Sequence, residues 1–164
     1  MNHAPSLTAL LLAAFLSAPA FAQHKHVHGE GALDVLIDKD TLTLSLTLPL
    51  DAAVGFERAP KNDKEKAALA ATEKALNDAA LFQPTPAAQC ALQSVQVSMP
   101  KFDGPHADVD ATHVFRCATP AALKGVDTTL FTHFKRLYRL ESRRAAPTGQ
   151  GAQRLTPKKP VLNW

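Results

Sequence analysis

The sequence predicts an α+β domain in which helices cover one face of a mostly antiparallel sheet of about six strands, with one disulfide. Residues 41–48 alternate leucine with threonine or serine, which is the period-two pattern of a strand buried on one face. A helical stripe follows an N-cap signal at Asn62, and two cysteines flank a pair of strand-like segments. The elements follow one another as ββαββα and then ββ, with short connections, which favours hairpins packed under a layer of helices.

Residues 1–22 are predicted to be a cleaved signal peptide. An apolar run over residues 7–16 precedes Ala20 and Ala22, which fit the small-x-small rule of signal peptidase and make Gln23 the first mature residue. The run is about half as long as a membrane-spanning helix, and no later segment has ~18 consecutive apolar residues. We therefore expect an exported protein without stable membrane insertion; the alternative is a cytosolic protein with an apolar start.

The mature chain is predicted to be a polar arm, residues 23–30, followed by a single domain, residues 31–164. Its helix begins at Asn62, which forms a capping box with Glu65, and the helical region ends at Pro84. The other predicted elements are strands at 33–37, 41–48, 90–99, 108–117, 138–146 and 151–156, a helical turn at 119–123 and a short helix at 130–137.

The two cysteines are expected to form a disulfide. Cys90 opens one strand-like segment and Cys117 closes the next, and the midpoint between them falls at the turn dipeptide Asp103-Gly104. A hairpin would place the cysteines opposite each other, and cysteines outside the cytosol usually pair. Such a bridge would stabilise the fold by roughly 3–4 kcal/mol. A reactive thiol or a metal ligand is the alternative.

Charge is distributed unevenly along the chain. The net charge is +3, but residues 23–123 carry 9 basic and 13 acidic residues, whereas residues 124–164 carry 9 basic and 2 acidic. The basic residues of the second part include Lys135, Arg136, Arg139, Arg143 and Arg144. They indicate either a solvated strand face or contact with an anionic protein or lipid surface. Nucleic acid is not expected as a partner of an exported protein with so weak a net charge.

Recognisable catalytic signatures are missing from the sequence. It has no glycine-rich phosphate loop, no Gly-x-Ser-x-Gly and no His-Glu-x-x-His, and its carboxylates are not paired at a recognisable spacing. Because the cysteines are assigned to a disulfide, we do not expect an enzyme. The six histidines of the mature chain are the remaining candidates for chemistry.

Three histidines alternate in the polar arm: His24, His26 and His28. In an extended segment these side chains project to one side, about 6.6–7 Å apart, and a flexible arm could bend them around one ion. Imidazole suits zinc, copper and nickel. A closed zinc site takes about four ligands, so Glu30 or water would have to complete it. The alternative is a polar tail in which the spacing is chance.

The other histidines are interpreted one by one. His106 lies beside the predicted turn and near two aspartates, so a loop metal site and a solvated turn both remain open. His113 falls on the apolar face of its strand together with Cys117, and we expect it to be a buried, hydrogen-bonded core residue. His133 lies off the apolar stripe of its helix and is expected to be exposed.

Several short motifs resemble the ZrgA-like family of zinc-regulated periplasmic proteins. They are His26-Val27-His28-Gly29-Glu30-Gly31-Ala32-Leu33, Gly55-Phe56-Glu57-Arg58-Ala59-Pro60, Cys90 with Phe115-Arg116-Cys117, and Pro147-Thr148-Gly149-Gln150. The resemblance implies a periplasmic protein that serves zinc uptake by delivering the ion to an inner-membrane transporter. It also implies that His26, His28 and Glu30 belong to the family's opening motif.

The sequence departs from this family pattern in two places. Relatives often carry a long insert rich in His, Asp and Glu between the cysteines, whereas residues 99–108 are short here and have His106 as their single histidine. Arg58 stands where relatives often have histidine. The resemblance therefore implies that this protein holds fewer ions than such relatives.

These observations predict a periplasmic protein that captures zinc through its N-terminal histidines and supports its uptake across the inner membrane. The predicted ligands are His24, His26, His28, Glu30 and His106, with copper or nickel as alternative metals. The alternative function is an interaction or scaffold protein that docks on a membrane complex through its basic C-terminal part.

Overall fold

The computed structural model describes residues 27–104 and 106–164, so the predicted signal peptide and most of the polar arm lie outside the described residues. Within these ranges the chain forms nine β-strands and three α-helices. The strands are β1 Glu30–Asp38, β2 Thr41–Pro49, β3 Phe82–Pro84, β4 Cys90–Ser98, β5 Asp108–Cys117, β6 Gly125–Thr128, β7 Arg139–Ala146, β8 Gly149–Leu155 and β9 Val161–Asn163. The helices are α1 Leu50–Val54, α2 Asp63–Leu76 and α3 Leu130–His133.

Six strands form one mixed sheet in the order β4-β5-β2-β1-β7-β8. The number of strands agrees with the sequence prediction. All neighbours are antiparallel except β1 and β7, which run parallel with Asp34 opposite Arg143. Parallel strands need a long connection, because a tight turn cannot join them. Most of the chain therefore lies between β1 and β7 in sequence.

The alternating leucines of β2 determine which face of this sheet is buried. Leu42, Leu44, Leu46 and Leu48 are at most 1% exposed, whereas the threonines and serine between them are half-buried. A slip of one residue would turn all four leucines toward the opposite face, so burial of this set specifies the register.

The second layer of the core is not the layer of helices that the sequence suggested. A three-stranded sheet in the order β3-β6-β9 supplies part of it. Phe82, Val126 and Leu162 from these strands belong to the same buried cluster as the β2 leucines. Strands of three or four residues are too short to show a period of two, so the sequence pattern could not reveal them.

Helix α2 confirms the predicted N-cap, but both α2 and α3 are shorter than the sequence predicts. The Glu65 amide donates to Asn62 Oδ1 at 2.9 Å at the start of α2. This helix ends at Leu76, because the chain then turns through a 3-10 segment into β3. Its buried residues are Thr72 and Leu76, so most of α2 faces solvent and the predicted cover of helices over one face of the sheet is not confirmed. Helix α3 spans four residues of the predicted 130–137.

The predicted disulfide is confirmed. Strands β4 and β5 pair antiparallel with Cys90 opposite Cys117, and a disulfide joins these two residues. A bulge between Leu92 and Ser94 shifts the register of the pair further along β4. Among the described residues, no helix combines the length and apolar character needed to cross a membrane.

Candidate metal centre

His28 lies in a tight turn that precedes β1. The Glu30 amide donates to the Val27 carbonyl at 3.0 Å, and Gly29 adopts a φ of +74°. A left-handed backbone is strained for a residue with a side chain. A Cβ at Gly29 would also lie 2.6 Å from Cε1 of Tyr138. Both the backbone conformation and the close approach of Tyr138 therefore require glycine at position 29. The turn leaves the His28 side chain 75% exposed.

Glu30, one of the predicted ligands, is engaged by residues at the start of β7. The Tyr138 hydroxyl donates to Glu30 Oε1 at 2.8 Å, and Arg139 forms an ion pair with the same carboxylate. The Tyr138 amide also donates to the Gly29 carbonyl at 3.0 Å. These contacts hold the His28 turn against the chain before β7. Glu30 is therefore engaged by Tyr138 and Arg139 and stands outside the group of potential ligands described below.

Asp51 lies in the first turn of α1, directly after β2. Arg136 Nε donates to the Asp51 carbonyl at 3.1 Å, and the Leu50 amide donates to the Ala107 carbonyl at 2.7 Å. The backbone around Asp51 is therefore tied to two distant segments. The helix ends at Gly55 with a φ of +89°, the left-handed conformation in which helices commonly terminate. This reversal brings the following residues back beside Asp51.

Glu57 follows this reversal, and its neighbour Arg58 fixes the connector. The Arg58 guanidinium makes two hydrogen bonds to Glu65, of 2.7 and 2.9 Å, and stacks over Phe56 at 4.9 Å from the ring centroid. The Lys61 amide donates to the same carboxylate at 2.7 Å. Arg58, and after it the Lys61 amide, hold the pKa of Glu65 at about 2. This network ties the connector that carries Glu57 to α2.

His28, Asp51 and Glu57, which we call the His28 cluster, offer ligand atoms that lie within 4.8 Å of one another. His28 Nδ1 lies 3.1 Å from Asp51 Oδ2 and 3.7 Å from Glu57 Oε1. Tetrahedral zinc with bonds of about 2.0–2.1 Å separates its ligand atoms by roughly 3.3 Å. The two distances from His28 Nδ1 are therefore close to the spacing of zinc ligands.

The two carboxylates of the His28 cluster are poorly solvated. The side chains of Asp51 and Glu57 are each 14% exposed. Among the described residues, the buried Oδ1 of Asp51 has no hydrogen-bond partner. Two carboxylates brought together with little water repel each other, and a divalent cation would offset this cost. One imidazole and two carboxylates are ligands that zinc accepts, and three protein ligands leave one tetrahedral position open.

His106 approaches the same carboxylate from another direction. Its Nδ1 lies 3.5 Å from Glu57 Oε2, whereas His28 faces Glu57 Oε1. Glu57 thus lies between two imidazoles. The fold brings together His28 and His106, two predicted ligands that are far apart in the sequence.

His113 is fully buried, as the sequence predicts. Its ring meets Phe82 edge-on, with centroids 5.1 Å apart. Neither ring nitrogen has a partner at hydrogen-bond geometry among the described residues, so the predicted hydrogen bonding is not confirmed. Burial lowers the pKa of His113, and a weaker interaction with the backbone of Asp78 acts in the opposite direction.

Among the described residues, His113 and His133 are not part of the His28 cluster. His24 and His26 lie outside the described residues. His133 is exposed, as expected, and lines a groove beside the end of α2 together with Lys74 and Asn77. Sequence reasoning therefore placed one member of the cluster, His28, among its candidate ligands.

Sequence reasoning did not single out Asp51 or Glu57. Glu57 lies inside the motif of residues 55–60 that carried the family resemblance, and that motif is the signal that could have found it. Asp51 has no comparable signal, because an acidic residue in the first turn of a helix is common and favourable without any metal.

Within the described part of the chain, ion pairs involve three of the nine basic residues in the C-terminal part: Arg139, Arg143 and Arg154. Arg139 pairs with Glu30, and Arg143 pairs with Asp34 across the parallel β1–β7 pair. Arg144 stacks over Trp164 with its guanidinium 5.6 Å from the ring. These contacts engage part of the basic cluster, and both interpretations of it stay predictions.

Comparison with known proteins agrees with the motifs. The sequence model of the ZrgA family, described as zinc uptake proteins, matches residues 25–164. The match covers every described strand and helix and all three residues of the His28 cluster. No curated protein matches the chain.

Proposed function

We propose that this chain, which belongs to the ZrgA family of zinc uptake proteins, binds zinc at the His28 cluster and transfers the ion to an acceptor. His28 Nδ1 and one carboxylate oxygen each from Asp51 and Glu57 would be the ligands. The observation that carries the proposal is the approach of these three atoms to within 4.8 Å of one another. The buried Asp51 oxygen without a partner among the described residues adds a reason for a cation there.

An open coordination position would allow the bound ion to be transferred to another protein. Structural zinc sites are closed by four protein ligands, whereas a site with three keeps an exchangeable position. His28 is 75% exposed, so a ligand from an acceptor can reach the ion from solvent. Catalytic zinc sites also keep an open position, so the reason for proposing a carrier over an enzyme is the family's description as zinc uptake proteins. A periplasmic location and delivery to an inner-membrane transporter are part of the proposal, and they rest on the family and on the predicted signal peptide.

Two predicted ligands are assigned supporting roles in this proposal. Glu30 holds the turn that carries His28 through its bonds with Tyr138 and Arg139. His106 contacts the Glu57 oxygen that faces away from His28 and orients this carboxylate. Groups that orient metal ligands typically change affinity by about 10–100-fold.

Zinc titration of the mature protein at about pH 7.5 tests the proposal. His28→Ala, Asp51→Asn and Glu57→Gln should each weaken zinc binding at least about tenfold. The matched controls His133→Ala and Asp63→Asn alter an exposed histidine and an exposed aspartate elsewhere and should bind as the wild type does. Wild-type affinity in all three cluster variants would refute the site.

The pH dependence of zinc binding is a second, independent test of the same site. A protonated imidazole cannot bind a metal, and free histidine titrates near pH ~6.5. Zinc affinity should therefore fall steeply between about pH 7.5 and pH 5.5. Titrations with copper and nickel under the same conditions rank the three metals.

A double variant, His24→Ala with His26→Ala, separates the polar arm from the His28 cluster. We propose that these two histidines add donors next to His28. Removing them should lower zinc affinity less than His28→Ala does. Equal losses in the double variant and in His28→Ala would move the primary site into the arm.

A further inference from the structure

We infer that the open position of the zinc site is built to receive a carboxylate, which Arg136 holds. The inference rests on the proposed function and names the chemistry of the ligand that exchanges there. Arg136, His28, Gly29, Asp51 and Tyr138 line one open depression of about 360 Å³. A ligand that reaches zinc through this depression therefore passes the guanidinium.

The Arg136 side chain is anchored beside the His28 cluster. Its Nε donates to the Asp51 carbonyl at 3.1 Å, and the side chain packs across Gly55, where a Cβ would lie 3.3 Å from Nε. Arginine has five N–H donors, so one is used and the others make no hydrogen bond within the described residues. The charge is thus held in place while most of its donors remain available.

Arg136 also differs from the neighbouring arginines in its charge balance. Arg139 and Arg143 each pair with a carboxylate. Within residues 27–104 and 106–164, no carboxylate lies at ion-pair distance from Arg136. When zinc offsets the charges of Asp51 and Glu57, the positive charge of Arg136 is left uncompensated next to the ion.

This uncompensated charge selects the kind of ligand that enters. Water or a neutral imidazole would leave the positive charge in place. A carboxylate would offset it, with one oxygen on zinc and the other accepting a hydrogen bond from the guanidinium. Guanidinium and carboxylate are matched in geometry, and such charge-assisted bonds are stronger than neutral ones. The carboxylate comes either from a small organic acid or from an Asp or Glu side chain of the acceptor.

Acetate binding to the cobalt(II)-loaded mature protein tests the inference, because the visible absorption of tetrahedral cobalt reports ligand exchange. Sodium acetate is titrated at about pH 7.5 against sodium perchlorate of equal ionic strength. We expect a saturable spectral change with acetate in the wild type. Its half-saturation concentration should rise at least about tenfold in Arg136→Gln, because a charge-assisted bond is lost. Lys135→Gln removes the same charge from the adjacent exposed residue and should behave as the wild type does.

A second titration distinguishes the two sources of the carboxylate. A peptide that is N-acetylated, C-terminally amidated and carries one Glu is compared with its Gln counterpart, which then has no carboxylate. If the Glu peptide acts at a lower concentration than acetate, the position is adapted to an acceptor protein. If it acts no better than acetate, the position is adapted to small organic acids. No response to the Gln peptide is expected in either case, and a response equal to that of the Glu peptide would contradict a carboxylate.

Failure of the inference is distinct from failure of the proposed function. If acetate has no effect on the wild type, or the same effect on Arg136→Gln, the inference is overturned while zinc binding measured without acetate still stands. Loss of metal binding in both Arg136→Gln and Arg136→Lys would limit Arg136 to holding Asp51 and would also overturn it. Absence of zinc binding in the wild type would refute the proposed function itself.

Discussion

At the residue scale, adding a single methyl group at position 29 should disturb the His28 cluster. Gly29→Ala places a Cβ 2.6 Å from the Tyr138 ring at a φ of +74°. The strain should lower the free energy of unfolding by about 1–3 kcal/mol and move His28, so zinc affinity should fall. Urea unfolding and zinc titration measure both effects. Gly104→Ala is the control, because the nearest atom there is 3.9 Å away and φ is not positive. Wild-type zinc affinity in Gly29→Ala would show that the turn tolerates the change.

Buried His113 should make the protein sensitive to acid. Burial lowers its pKa in the folded state. As the pH falls below about 6.5, the unfolded chain therefore takes up this proton first, and the free energy of unfolding declines. His113→Leu removes both unpartnered nitrogens and should flatten this decline relative to the wild type. The measurement is urea unfolding from about pH 7.5 to pH 5.

The control for this prediction is His133→Leu, which changes an exposed histidine. It should keep the wild-type slope of stability against pH. Parallel curves for His113→Leu and the wild type would show that another group causes the acid sensitivity.

At the scale of elements, the connector between α1 and α2 depends on Glu65. Arg58 and the Lys61 amide hold the pKa of Glu65 at about 2. A lowered carboxyl pKa contributes stability that is present above the unfolded pKa of ~4.3 and is lost as the pH falls toward 2. Glu65→Gln should therefore lower the melting temperature at pH 7, and the gap to the wild type should close on acidification. Thermal melts at about pH 7, 4 and 2.5 test this.

Glu73→Gln is the matched control for the connector, since Glu73 is an exposed glutamate of the same helix. Its melting temperature should follow the wild type at every pH. If Glu65→Gln and Glu73→Gln behaved alike, the Arg58–Glu65 pair would have no part in fixing the connector. Because Glu57 adjoins Arg58, Glu65→Gln should also weaken zinc binding modestly.

At the scale of the whole molecule, the disulfide and the His28 cluster lie at opposite ends of β5. Cys117 ends this strand, whereas Ala107, just before its start, accepts a hydrogen bond from the amide next to Asp51. A strand of this length spans about 30 Å. Replacing both cysteines by serine should lower the free energy of unfolding by about 3–4 kcal/mol and leave zinc affinity unchanged. Urea unfolding and zinc titration of the double variant check this, and a large loss of affinity would show that the ends are coupled.

Removal of zinc should leave the fold intact. The buried core joins both sheets and contains none of the three His28 cluster residues. A carrier site differs in this respect from a structural zinc, whose loss unfolds the domain. Thermal melts with and without chelator should differ only by the small stabilisation that a bound ligand adds. Loss of the folded state on chelation would identify the zinc as structural.

Local sequence patterns determined several features of this protein by themselves. The leucine alternation of β2, the Asn62 cap of α2 and the pairing of Cys90 with Cys117 were all predicted and confirmed. Each depends on residues that are close in sequence or joined by a recognisable turn. The spacing of histidines also indicated His28 as a candidate ligand, and its role as a ligand stays a prediction.

Only the tertiary structure decided which residues meet His28. Asp51 and Glu57 reach it because β1 pairs with β2 and because α1 reverses the chain at Gly55. The parallel pairing of β1 with β7 brings the segment containing Arg136 to the same place. A sequence pattern reports which face of an element is buried, but the register between distant strands follows from packing of the whole core. The His28 cluster depends on that register, so it could not be read from any one segment.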